Sequence, residues 1–136
     1  MESLIDLFQA KSAVKEFKTT NLSFKLRTLT TDELIDVLRR ADLVSTSDTT
    51  KIFVAKKLTV AYSLEAVNGV EVMALPEIAR LRADEKNKDL SKVDLLLQVI
   101  GNFDADAIEE LYNCYNTLLV ENDKKRAELK KASVVR

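Results

Sequence analysis

The sequence predicts a mainly α fold, α+β at most: one compact helical domain with a small two-stranded sheet. Three observations predict it. Apolar residues recur every three or four positions through most of the 136 residues, the spacing of an amphipathic helix. Helix-start chemistry, a Ser or Thr followed three residues later by an acid, precedes two of these runs, at Thr30–Glu33 and Ser91–Asp94. Strict alternation is confined to two short stretches, about residues 22–28 and 70–73.

Residues 2–17 read as a first helix. Leu4, Ile5 and Phe8 form one cluster, and Ala10, Ala13, Val14 and Phe17 follow at helical spacing. Thr19, Thr20 and Asn21 break the pattern. Leu22, Phe24 and Leu26 then alternate with Ser23, Lys25 and Arg27, the period-two signature of a half-buried strand. Thr30 and Glu33 make a capping box, after which Leu34, Ile35, Val37, Leu38 and Ala41 supply the expected buried face. The polar run Ser45–Asp48 offers the cap of the next helix.

Residues 49–66 form the expected central helix. Ile52, Phe53, Val54, Ala55, Leu58, Val60, Ala61, Tyr62 and Leu64 leave only a narrow polar strip at Lys56, Thr59 and Ser63. A helix apolar over most of its circumference is buried on several sides. Asn68 and Gly69 tolerate positive φ and predict a tight turn. Residues 70–73 become a second strand, expected to pair with residues 22–28. Pro76 suits a first helical position, where its missing N–H costs nothing, and that helix runs to about Glu85. A further helix through Val93–Ile100 is expected to end at Gly101 and Asn102 in a left-handed conformation. The last helix opens at Asp104 and is long, with a stripe of Ile108, Leu111, Tyr115, Leu118 and Leu119. Residues 121–136 form its charged extension, with six positive and three negative side chains.

Composition narrows the chemistry. The chain has no histidine, one cysteine and two glycines. Cys114 lacks a histidine to serve as base, which argues against a thiol nucleophile. Gly69 and Gly101 stand alone, so no phosphate loop or dinucleotide fingerprint can form. Asp104, Asp106, Glu109 and Glu110 invite a metal reading. Counted as a calcium loop from Asp104, however, the fifth, sixth and twelfth positions hold Ile108, Glu109 and Tyr115, which fails the pattern. Those acids fit the positive end of a helix instead. No catalytic residue, metal ligand, cofactor or small-molecule substrate is therefore expected, and the chain reads as a non-enzyme.

Net charge is −1, so no global attraction to nucleic acid or anionic membrane is expected. The basic groups Arg39–Arg40, Lys56–Lys57 and Lys124–Arg126 keep a small DNA-associated regulator among the alternatives. No apolar run reaches the roughly 20 residues of a spanning helix, and the first residues lack the pattern of a secretory signal. A protein made in a cytoplasm is the expectation.

The stretch Phe24-Lys25-Leu26-Arg27-Thr28-Leu29-Thr30-Thr31-Asp32-Glu33, leading into a helix, resembles small proteins of tailed bacteriophages. So does Lys57-Leu58-Thr59-Val60-Ala61-Tyr62-Ser63-Leu64 closing on Val67-Asn68-Gly69. The pattern is similar to that of tail assembly chaperones and of small baseplate or hub proteins, and it covers about residues 22–73. It implies a protein–protein interaction subunit of the tail or baseplate, found in the virion if structural. A chaperone absent from the mature particle is the alternative. It implies no catalytic residue. The expected partner-binding residues are Leu4, Ile5 and Phe8 at one end and Leu119, Val120 and Leu129 at the other, where an isolated helix frays unless a partner or the domain itself holds it.

Overall fold

A computed structural model describes residues 13–19, 21–44 and 47–134. The elements in order are β1 (Val14–Lys18), β2 (Ser23–Arg27), α1 (Thr31–Val44), α2 (Asp48–Ser63), β3 (Leu64–Val67) and β4 (Val70–Glu71). After a 3₁₀ turn at Val72–Ala74 come α3 (Pro76–Ala83), a second 3₁₀ turn at Glu85–Asn87, α4 (Lys92–Ile100) and α5 (Ala105–Val134). Helix dominates, as expected, and the strands make one antiparallel sheet in the order β1-β2-β3-β4.

The sheet is larger than the two strands expected. Val14–Lys18 is a strand, where the first helix is expected to run to Phe17; residues 2–12 of that helix lie outside the described residues. Spacings of three and four at Ala13, Val14 and Phe17 suit a helix, but Ala13, Lys15 and Phe17 also alternate with exposed Val14, Glu16 and Lys18. Cross-strand packing decides between the two: Phe17 stacks on Phe24 of β2 with centroids 6.0 Å apart. The pairing expected between residues 22–28 and 70–73 is also corrected. The central helix stops at Ser63, and Leu64–Val67 takes the place beside β2, with Phe24 opposite Val67 and a bulge at Lys25/Leu26. β4 pairs with β3 instead, and the chain turns into 3₁₀ geometry at Val72. The Asn68-Gly69 turn fixes this hairpin. Both residues have positive φ, 51° and 79°, the requirement of a two-residue type I′ connection. Asn68 ties the turn to β2 by accepting from Ser23 N–H through Oδ1 (2.8 Å) and donating its own N–H to the Ser23 carbonyl (2.6 Å).

Local start signals act as read. Glu33 N–H donates to Thr30 Oγ1 (3.2 Å) and Thr30 N–H to Glu33 Oε1 (2.9 Å), a reciprocal capping box. Ser47 and Ser91 cap α2 and α4, and Pro76 opens α3. The end of α4 differs from expectation. Gly101 is right-handed, at φ −60° and ψ −20°, because the exit tightens through i→i+3 bonds from Asn102 to Val99 and from Phe103 to Ile100.

α2 is central, packing against α1, α4 and α5. The Thr59 and Ser63 part of its polar strip is absorbed by the interior, while Lys56 pairs with Glu109 of α5. Thr59 and Ser63 are buried, and their hydroxyls donate to the Ala55 carbonyl (2.8 Å) and to the Arg27 carbonyl of β2 (2.7 Å). Around α2 the core gathers Leu26, Val60, Leu64, Val72, Ile78, Leu95, Leu96, Ile100, Ile108 and Leu118.

Candidate functional site

α1 has too many apolar residues for one contact. At about 100° per residue, Val37, Ala41, Leu34, Leu38 and Ile35 spread over roughly 160° of its circumference, wider than the stripe a single packing face covers. The fold buries only Val37 and Ala41 of these. Leu34, Ile35 and Leu38, expected in the core, remain 49, 57 and 59% exposed. The cause is geometric: α2 packs on the edge of the apolar arc that holds Val37 and Ala41.

The opposite flank of α1 explains why the helix sits at that rotation. Arg27 bridges Glu33 (2.5 Å) and Glu65 (2.6 Å), and Arg40 bridges Asp36 (2.9 Å) and Asp94 of α4 (2.8 Å). Arg39 adds a second cation to Asp36 at 2.7 Å. Tyr62 of α2 donates its hydroxyl proton to Asp36, and Ser91 donates to Asp94 at 2.7 Å. Of these, Arg27, Glu33, Asp36, Arg40, Tyr62 and Ser91 line a cleft of about 390 Å³.

The electrostatics of that cleft favour holding over chemistry. The hydrogen bond from Tyr62 and then that from Arg39 keep Asp36 below the usual carboxylate range. Ser91 and Arg40 do the same for Asp94. Burial pushes Glu33 up, but the Arg27 hydrogen bond and the Thr30 backbone outweigh it and hold the carboxyl low. Burial and the Asp36 carboxylate push Tyr62 up to about 12. Near neutral pH the acids are ionised and the phenol protonated, so the groups lock α1 to α2, β2 and α4 rather than exchange protons. Arg27 and Arg40 each engage two carboxylates, which compete with any phosphate for those donors.

The other candidate residues fall as follows. Among the described residues no three His, Cys, Asp or Glu side chains stand together as a metal site. Cys114 is half-buried, and burial plus the Glu110 charge push its thiol up, away from a thiolate. Arg39 and Arg40 face carboxylates, and Lys56 reaches Glu109 at 2.9 Å. Leu119 and Val120 are 37 and 54% exposed on α5. Leu4, Ile5, Phe8 and the Leu129 side chain lie outside the described part. The α1 face is the surface that sequence reasoning missed. Its signal, an apolar arc too wide for one neighbour, was present in residues 34–41. No helix among the described residues is long and apolar enough to cross a membrane. No protein-family model, curated protein or solved structure matches the chain.

Proposed function

We propose that this chain is a non-enzymatic protein–protein interaction subunit, and that its docking surface is the exposed row of α1. The observation that carries the reading is the placement of Leu34, Ile35 and Leu38 in water on a helix fixed by ion pairs along its other flank. A solvated apolar group gains free energy on leaving water, and a rigid helix loses little conformational freedom when a partner covers it. An apolar strip beside polar flanks is the form that helix-in-groove recognition takes.

The resemblance of residues 22–73 gives this reading its specific form: a tail or baseplate structural protein of a tailed-phage virion. The same exposed face suits a tail assembly chaperone, which covers a component before assembly and then leaves. The experiment is quantitative mass spectrometry of size-fractionated lysate from the producing system, comparing wild type with Leu38→Glu. A structural subunit co-migrates with finished particles at fixed stoichiometry, and Leu38→Glu lowers that occupancy. Wild-type chain found only with soluble precursors selects the chaperone. Equal partition of wild type and a folded Leu38→Glu variant would sink the α1 docking surface.

A further inference from the structure

We infer that the Asn68-Gly69 turn is a site of spontaneous covalent modification: the Asn68 side chain cyclises onto the Gly69 nitrogen and opens to isoaspartate. Of the seven asparagines in the chain, Asn68 alone precedes glycine, whose lack of a Cβ leaves its own nitrogen open to close approach. Both residues are exposed. The Gly69 N–H, whose proton a base must remove, has no acceptor among the described residues. The amide carbon that it would attack is polarised by the Ser23 N–H, which donates to Asn68 Oδ1 at 2.8 Å.

The hairpin brings the reactive geometry within one rotation. Ring closure needs the Gly69 nitrogen to eclipse Asn68 Cβ about the Cα–C bond, which for an L residue means ψ of about −120°, the value at the first central position of a type II′ turn. That position also requires positive φ, and Asn68 already has φ 51°. Turning over the single peptide plane between Asn68 and Gly69 therefore converts I′ to II′, the other tight connection that hairpins accept. The Asn68 N–H keeps its bond to the Ser23 carbonyl, and only Oδ1 must leave the Ser23 N–H.

The Gly69 nitrogen then bonds to Asn68 Cγ and gives its proton to base, while the Cγ–Nδ2 bond breaks and Nδ2 leaves as ammonia. Water adds to one of the two ring carbonyls and cleaves its bond to nitrogen. Addition at Cγ gives aspartate; addition at the Asn68 main-chain carbonyl gives isoaspartate. Either product carries one negative charge beyond the present net −1. In isoaspartate the main chain runs through Cβ, so the two-residue loop gains a backbone atom and the register it fixes is lost. β4 has only two residues and leads directly into buried Val72, so the seat of that side chain loosens.

Peptide mass spectrometry of the full chain at mildly alkaline pH, native and unfolded in guanidinium, tests this. Asn68 should be the first asparagine of the native chain to convert, with isoaspartate among the products. The mass gain should be about 1 Da in ordinary water and about 2 Da more in heavy-oxygen water. One hydrogen bond must open first, so the native rate should lie roughly tenfold below the unfolded rate. The isoaspartate form, separated by its extra charge on anion exchange, should melt below the starting chain. Earlier conversion of another asparagine, aspartate without isoaspartate, or conversion in guanidinium but not in the native chain would overturn the site. An isoaspartate form that melts with the starting chain would overturn the loosening of the hairpin.

Discussion

At the scale of single residues, the tightest polar coupling runs through Tyr62 and Asp36. The phenol gives its proton to a carboxylate that also holds Arg39 and Arg40, so one acid ties two turns of α1 to the last turn of α2. Replacing Tyr62 by Phe keeps the ring and removes the donor. A hydrogen bond to a charged acceptor is worth about 1.5–3 kcal/mol, and with the Asp36 side chain still 18% exposed, unfolding in urea at neutral pH should report a loss near the lower end of that range. The pH dependence separates this from a packing effect. Tyr62 titrates near 12 in the folded state against about 10 unfolded. A raised folded value gives stability that is complete below pH 10 and lost as pH climbs toward 12, because the unfolded chain releases its proton first. Wild type should therefore lose its advantage over Tyr62→Phe across that window. A gap between the two that stays constant from pH 8 to 11 would refute the coupling. At the acid end the sign reverses: Glu33, Asp36 and Asp94 are depressed, and their contribution disappears as pH falls through values below the ordinary carboxylate range.

At the scale of elements, local signals and distant ones divide what the sequence reveals. Thr30–Glu33, Ser47, Pro76 and Asn68-Gly69 act within four residues of themselves, and each builds the start or turn that its chemistry predicts. The errors arise where a partner far along the chain chooses. Val14–Lys18 is a strand because Phe24 and Leu26 are there to pair with it. Leu64–Val67 leaves the helix because β2 offers an edge and Asn68 locks the return. The α1 surface was legible only as an excess of apolar residues. Which of them face water depends on Asp94 and Tyr62, which residues 31–44 do not contain. The hairpin offers a direct check. At Gly69, φ is +79°, and a Cβ would meet nothing within 4 Å, so Gly69→Ala introduces backbone strain without a clash. That strain is worth about 1–2 kcal/mol, or roughly 3–8 °C in Tm for a domain of this length. A melting temperature unchanged within about 1 °C would mean that the turn does not enforce the β3–β4 pairing.

At the scale of the whole molecule, α5 is longer than the body it belongs to. Thirty residues span about 45 Å, whereas a compact domain of 136 residues has a radius of gyration near 14 Å and so a diameter of roughly 36 Å. Among the described side chains its buried residues, Ile108, Leu111, Tyr115 and Leu118, all fall in the first half. Tyr115 also accepts the Leu29 N–H at 3.3 Å, joining α5 to the segment that enters α1. Beyond Leu118 the ion pair from Lys15 to Glu121 at 2.8 Å ties the helix to β1, and both of its members are more than 40% exposed, which makes it a weak clamp. Residues 123–125, 127, 128 and 131 are exposed. A helical stretch whose described side chains are mostly exposed opens readily, since an isolated helix of this length is marginal in water. Amide hydrogen exchange on the isolated chain should therefore fall into two regimes within one helix. Residues 108–118 should be protected to near the global unfolding free energy, and residues 123–131 should exchange orders of magnitude faster. Uniform protection along α5 would mean that contacts beyond the Lys15–Glu121 pair hold its second half. If the chain co-migrates with large particles, repeating the measurement on that fraction locates the load. Protection gained on α1 alone identifies that helix as the docking element. Gain at Leu119, Val120 and residues 123–131 as well makes the projecting end of α5 a second contact, with the ion pair to β1 as its hinge.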